Sequence, residues 1–215
     1  MRRDPRQARF LTLASLRWVI RHRAWTPYYL VRYCRFFWLR LRNPRVVTEG
    51  FVFLGRGVEL YARAGYGRLI LGRWVHIGDG SRLRVHEGTL RVGDKCVFGS
   101  TSTVNCYLDV EFGAATLVAD WVYICDFDHV IADVSTPIKD QGIVKAPVRV
   151  GADVWIGVKA TILRGVTIGR GSVVAAHTVV TDGVPPYSIV AGAPGRVVRG
   201  RKPDRSLARD DQAAD

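Results

Sequence analysis

The stretch PVRVGADVWIGVKATILRGVTIGRGSVVAAHTVV, residues 147–180, sets an aliphatic side chain at Val150, Ile156, Ile162, Ile168, Val174 and Val180 with no slip. Glycine or alanine follows at Gly151, Gly157, Gly169 and Ala175. A small or β-branched residue stands four places after an aliphatic at Val154, Ala160, Val166, Ser172 and Thr178. A period of six excludes an amphipathic helix, whose apolar stripe recurs about every 3.6 residues. It also excludes a long hairpin strand, because glycine interrupts it every few residues. A solenoid fits, with one hexapeptide on each flat face. No single unit can bury its own aliphatic residue, so successive coils must stack. The aliphatics then point inward in columns, and the small residue after each is expected to turn the corner.

Outward from this stretch the same period recurs in earlier blocks: Leu71, Ile77 and Leu83, then Val92, Phe98 and Val104, then Phe112, Val118 and Ile124. The blocks are offset by two or three residues, which implies small insertions between coils. The period stops at His129. Residues 130–147, with Pro137, Pro147 and the run Lys139-Asp140-Gln141-Gly142, carry no hexapeptide pattern. A long irregular excursion from a rigid solenoid is where function tends to reside. The chain therefore divides into a basic aromatic segment 1–45, a solenoid 46–199 with the excursion 130–147, and a polar tail 200–215.

Charge follows this division. Residues 1–45 hold twelve arginines and one acid, Asp4, whereas 46–215 hold twenty Lys/Arg and eighteen Asp/Glu. The net charge of +13 thus belongs almost wholly to the first segment. Phe10, Leu13, Leu16 and Ile20 recur at helical spacing there, and Thr26-Pro27 reads as an N-cap followed by proline at the first helical position. A second helix is expected from Pro27 toward Arg42, ended by Asn43-Pro44. Tyr28, Tyr29, Tyr33, Phe36, Phe37 and Trp38 stand in it among Arg32, Arg35, Arg40 and Arg42. Two readings fit: peripheral attachment to an anionic membrane face, or packing on the solenoid with the arginines in water.

Arginine or histidine breaks every apolar run near the N-terminus, so neither a cleaved signal peptide nor a membrane-spanning helix is expected. Cys34, Cys96, Cys106 and Cys125 form no CxxC pair and read as reduced thiols of a cytoplasmic protein. Cys125 lies four residues before His129, but a small buried thiol is the expected reading.

The chain resembles the hexapeptide-repeat acyltransferases, in the sugar and capsule O-acetyltransferase branch with the galactoside and maltose enzymes. The resemblance spans about residues 46–199 and rests on DFDH at 126–129, PIKDQG at 137–142, the stretch from Pro147 to Gly169, and VVTDGVPPYSIVAGAPGRVVR at 179–199. It implies a left-handed parallel β-helix, a homotrimer with active sites between subunits, acyl-CoA as donor, and a carbohydrate or glycolipid hydroxyl as acceptor.

Acyl transfer from a thioester to a hydroxyl needs a base for the hydroxyl proton and donors for the oxyanion. His129 matches the family's catalytic histidine. Asn105 matches an asparagine that positions the acceptor or the histidine, and Asp126 or Asp128 could orient His129. Gln141 stands in the excursion within reach of the site or on its surface. Trp155 matches the tryptophan walling the acyl pocket. Val158 matches the residue whose backbone N–H meets the thioester carbonyl. Ala176 and Thr181 match positions along the pantetheine groove, and Arg196 and Arg199 those near the nucleotide end. Asp182 stands where lysine is common, and His177 where glycine is usual.

Two other functions compete. A γ-type carbonic anhydrase needs several histidines on adjacent coils for zinc, whereas His129 is alone in its region, so no metal is expected. A non-catalytic scaffold at a membrane surface would use the basic segment but has no need of His129. Nucleic-acid binding is not expected, because the arginine segment is too apolar.

Overall fold

The computed structural model describes residues 13–201 apart from 22, 24 and 44. Phe10, His22, Pro44 and the tail from 202 onward therefore lie outside the described residues. Two helices, α1 (Leu13–Arg21) and α2 (Pro27–Arg42), precede a continuous run of short strands. The strands form three parallel sheets, here faces A, B and C, visited in turn by each coil. Val46–Thr48, Val52–Leu54 and Glu59–Ala62 open faces A, B and C, and Thr167–Ile168, Val173–Val174 and Val179–Val180 make the sixth coil. This is the left-handed parallel β-helix with N-terminal helices expected from the sequence.

The hexapeptide aliphatics stack in register. Face A carries Leu71, Val92, Phe112, Val150 and Ile168. Face B carries Leu54, Ile77, Phe98, Val118, Ile156, Val174 and Val190. Face C carries Leu60, Leu83, Val104, Ile124, Ile162 and Val180. All are buried in one core. Removing one such side chain, as in Ile156→Ala, is expected to cost roughly 2–5 kcal/mol.

The corners differ from the expectation. The small residue after each aliphatic does not turn the chain. It is small because the next coil passes close by: a Cβ on Gly157 would lie 2.6 Å from the Ala176 nitrogen, and one on Gly151 2.7 Å from that of Arg170. The turning residue comes two places later, in the left-handed region. Lys95, Thr101, Ala115, Trp121, Asp153, Lys159 and His177 all have φ between 56° and 61°. His177 therefore takes a backbone conformation that glycine adopts at no steric cost.

Helix α2 packs on the first coil. Tyr29 meets Phe53, and Tyr33 and Phe36 meet Phe51, edge-on or tilted at 5.5–5.7 Å between ring centres. Phe36 and Leu39 are buried in the core. Thr26 occupies the N-cap with extended backbone, but its side chain makes no capping hydrogen bond. No described helix is long and apolar enough to cross a membrane.

Candidate active site

After the fourth coil the chain leaves face C at Asp126 and returns to face A at Val148. Asp126 is fully buried. Its carboxylate accepts the backbone N–H groups of Tyr107, Leu108 and Asp109, each at 2.8 Å. It thereby ties the exit of the excursion to the coil below and is not directed at His129. Phe127–His129 then pairs antiparallel with Ile143–Lys145. Sequence reading gave this hairpin as irregular, because three residues per strand are too few to show an alternation. Its tip is braced from within. Asp133 accepts from the Ser135 N–H and from the Ser135 and Thr136 hydroxyls, and these bonds hold its carboxyl down to about 2. Gln141 Nε2 donates to the carbonyls of Asp133 and Thr136, and its Oε1 accepts the Asp133 N–H. The Gln141 side chain is thus committed to bracing the loop.

His129 is exposed at the end of its strand. It lines an open cleft of about 540 Å³ with Asp128, Val130, Ile131, Val144 and Arg164. Among the described residues its imidazole has no hydrogen-bond partner, and its nearest ring is that of Phe127, 6.3 Å away edge-on. Asp128 is engaged elsewhere, accepting from Arg164 Nε at 2.5 Å. Arg164 was not singled out in the sequence, where nothing separates it from other surface arginines. Asn105 lies on face C in register with Cys125, and its Nδ2 donates to the Tyr123 hydroxyl at 3.3 Å. Cys125 is buried, and burial pushes its thiol up, which suits a core residue and not a nucleophile. His86 stacks on Tyr107 at 4.6 Å, and Tyr107 meets Phe127 at 4.5 Å, so a column of rings supports the strand that carries His129.

A second group of expected residues occupies the corner between faces B and C. Trp155, on face B, is 50% exposed between Leu117 and Val173. Residues 157–160 form a tight turn closed by the Ala160 N–H on the Gly157 carbonyl at 3.2 Å. Lys159 has φ 56°, so Val158 is the first central residue of a type II turn. At three other corners an aspartate of the next coil accepts the N–H at this position: Asp79 from Arg56, Asp94 from Arg73, and Asp120 from Ser100. At Asp79 and Asp120, between the same two faces as Val158, this N–H has no acceptor among the described residues. Above Val158 the next coil presents Ala176, whose side chain has no acceptor. The Val158 N–H consequently has no acceptor among the described residues. Its carbonyl takes the His177 N–H at 2.9 Å. Ala176 is exposed beside it.

Thr181 and Asp182 follow the last strand of face C. The Thr181 hydroxyl donates to Asp182 at 3.0 Å, and Arg196 Nη1 donates to the same carboxylate oxygen at 3.2 Å. Arg196 is thus partly neutralised, whereas Arg199, on the strand Arg196–Gly200, is exposed without a carboxylate partner among the described residues. Within one chain five of the expected residues fall into two sets. His129 and Asn105 lie along the edge between faces C and A. Trp155, Val158 and Ala176 lie along the edge between faces B and C. Among the described residues no group of three or more His, Cys, Asp or Glu side chains is placed to hold a metal ion.

Comparison with known proteins agrees with this fold. The bacterial transferase hexapeptide (six repeats) family matches residues 147–182. A probable acetyltransferase of Mycobacterium tuberculosis is 58% identical over 200 residues, which cover 93% of this chain and 67% of that protein. Among solved structures, an N-acyltransferase from Bacillus cereus, AntD, in complex with dTDP and coenzyme A is similar over 81% of this chain and 94% of its own, with TM-score 0.61 and 17% identity. The polySia-specific acetyltransferase NeuO is similar over 74% of this chain and 70% of its own, with TM-score 0.55 and 20% identity. At such identities the likeness is one of fold.

Proposed function

The chain belongs to the bacterial hexapeptide transferase family, and from that premise we propose that it is an acyl-CoA-dependent O-acyltransferase acting on a hydroxyl of a sugar, polysaccharide or glycolipid. The observation that carries this reading is the pairing of a solvent-facing imidazole with an open backbone donor. His129 lines its cleft with no side chain holding it among the described residues, and the Val158 N–H is left open by Ala176 in the coil above. Acyl-CoA supplies the thioester as donor. His129 takes the proton from the acceptor hydroxyl as its oxygen attacks the thioester carbon. The C–S bond then breaks, and the proton passes from His129 to the departing CoA sulfur, which leaves as the free thiol. The Val158 N–H stabilises the charge developing on the carbonyl oxygen. Trp155 offers a half-exposed indole to wall the acyl group, and the small side chain of Ala176 leaves room for the pantetheine arm. Arg199, and Arg196 where it is not held by Asp182, attract the phosphates at the far end.

The two sets lie on different edges of one chain. In a homotrimer, as the family resemblance implies, the edge bearing His129 of one copy can face the edge bearing Val158 of the next. The proposed site is then complete only between copies.

The test is release of free thiol from acetyl-CoA and longer acyl-CoAs, measured with sugars offering hydroxyl or amino groups. Acceptor-dependent release with hydroxyl sugars is expected. Release with amino sugars alone would reassign the reaction to N-acylation. Folded protein that releases no thiol with any acceptor would return the chain to the scaffold reading.

A further inference from the structure

Helix α2 carries two apolar faces. One side carries Tyr29, Tyr33, Phe36 and Leu39 onto the solenoid. The other carries Leu30, Cys34, Phe37, Trp38 and Leu41, spaced at three and four residues along a single stripe, with Val31 at its margin. A helix whose only task is to cover the first coil should turn polar side chains to water. Here Leu41 is 80% exposed, and Leu30, Val31, Phe37 and Trp38 are about half exposed or more. Leu30, Val31, Cys34 and Trp38 line an open apolar cleft of about 430 Å³ with Arg35. Helix α1 repeats the pattern, with Leu13, Leu16 and Ile20 exposed at helical spacing beside exposed Arg17 and Arg21.

The rim of this surface carries one sign of charge. From Pro5 to Thr48 the sequence contains no Asp or Glu, while it holds ten arginines. The Arg32 guanidinium lies 4.2 Å from the centre of the Tyr28 ring, and that of Arg42 lies 4.4 Å from the Trp38 ring. Each pair sets a cation directly beside an exposed aromatic ring.

We propose that the outer face of α1 and α2 docks on the surface of an anionic lipid bilayer. Leucine, valine and tryptophan enter the boundary between headgroups and acyl chains, and the arginines remain among lipid phosphates. A second copy of the chain fits less well, since it would bring two arginine rims together with no carboxylate between them. A nucleic acid would satisfy the arginines but leave Leu30, Val31 and Leu41 in water. Lipid docking of this kind is independent of the reaction at His129.

Flotation of the full chain with unilamellar vesicles tests the proposal. The protein should rise with vesicles of equal parts phosphatidylglycerol and phosphatidylcholine at low salt. It should stay behind with phosphatidylcholine alone, and at about 1 M salt, where the screening length falls to about 3 Å. Leu30→Ser with Leu41→Ser should weaken the partition on the order of 100-fold. Arg21→Gln with Arg42→Gln should weaken it roughly 25-fold at low salt. All four side chains are exposed, so the melting temperature should hold. Failure of the wild-type chain to float with anionic vesicles at low salt overturns the proposal, as does undiminished flotation of the leucine variant. A leucine variant that shifts sedimentation equilibrium toward a smaller assembly, from a wild type that does not float, would assign the face to a second copy.

Discussion

Arg164 reaches from the fifth coil to Asp128, Nε to Oδ2 at 2.5 Å, across the cleft that His129 lines. The carboxylate adjacent to His129 in sequence is therefore committed to a guanidinium and not to the imidazole. Both side chains are substantially exposed, so the pair contributes little to global stability. Its effect is local: it ties the strand bearing His129 to the coil above.

Substitutions at these neighbours should consequently differ. His129→Ala is expected to lower kcat by on the order of 10²–10⁴, the usual range for losing a general base. Because the side chain is exposed, its melting temperature should stay unchanged. Asp128→Asn should retain transfer within a few-fold, since the carboxylate does not orient the base. Thiol-release kinetics on both variants check this. Wild-type turnover in folded His129→Ala would remove the histidine from the mechanism.

The open N–H of Val158 is tested by proline. Val158 is the first central residue of a type II turn, where proline is favoured. The chain already uses this arrangement at Pro186, which precedes Tyr187 with φ 55°. Val158→Pro should therefore fold while deleting the donor, and kcat should fall on the order of 10²–10³. Val158→Ala keeps the N–H and should remain close to wild type. Equal activity in the two variants would show that this N–H does not act on the substrate.

The solenoid was legible because its signal is redundant. Val150 to Val180 repeats the same demand six times, and each position is enforced by stacking on the coils either side. The corners were misread, because glycine at 157 and left-handed Lys159 both follow from the coil geometry, yet only the glycine stands out in sequence. The position of His129 was legible from the break in period. The roles of Asp126, Gln141 and Arg164 were not, since each depends on which backbone or side chain another coil or the hairpin brings near. A carboxylate that collects three N–H groups looks, in sequence, like any other turn aspartate.

Asp126 should prove structural. Asp126→Ala leaves the N–H groups of Tyr107, Leu108 and Asp109 without their acceptor in a buried site. The cost should be on the order of 3–5 kcal/mol, which for a chain of this length lowers the melting temperature by roughly 10 °C. Asp126→Asn keeps one acceptor oxygen and should lose less. Thermal unfolding of the three proteins decides it. An unchanged transition in Asp126→Ala would show that the excursion is held by other contacts.

Acid should loosen the junction of α2 with the first coil through His76. Burial, with a smaller contribution from nearby Arg32, pushes His76 down to about 4. Its ring lies 4.4 Å from that of Phe53, which also meets Tyr29 of α2. Above its ordinary value of about 6.5 the imidazole is neutral in both states. Below that value the unfolded chain binds a proton that the folded chain refuses, so stability falls between pH 6.5 and about 4 and then levels off. Melting temperatures across this window should decline, and His76→Asn should flatten the decline. An equal slope in the variant would assign it to other groups.

Donor affinity should depend on the contest between Asp182 and the nucleotide end of acyl-CoA for Arg196. Arg196→Glu with Arg199→Glu should raise the KM for acyl-CoA more than it lowers kcat, because contacts remote from the reacting atoms act as uniform binding. Asp182→Ala should do the reverse. It releases the Arg196 guanidinium from the carboxylate 3.2 Å away and removes a negative charge from the path of an anionic donor, so the donor KM should fall. Both effects should shrink as salt is raised, since these side chains are exposed and screened. The acceptor KM should remain constant throughout, which separates a donor contact from a general loss of structure. A donor KM unmoved by either substitution would place Arg196 and Arg199 outside the acyl-CoA groove, with the Thr181–Asp182–Arg196 contacts serving only to fasten the strand Arg196–Gly200 to the last coil.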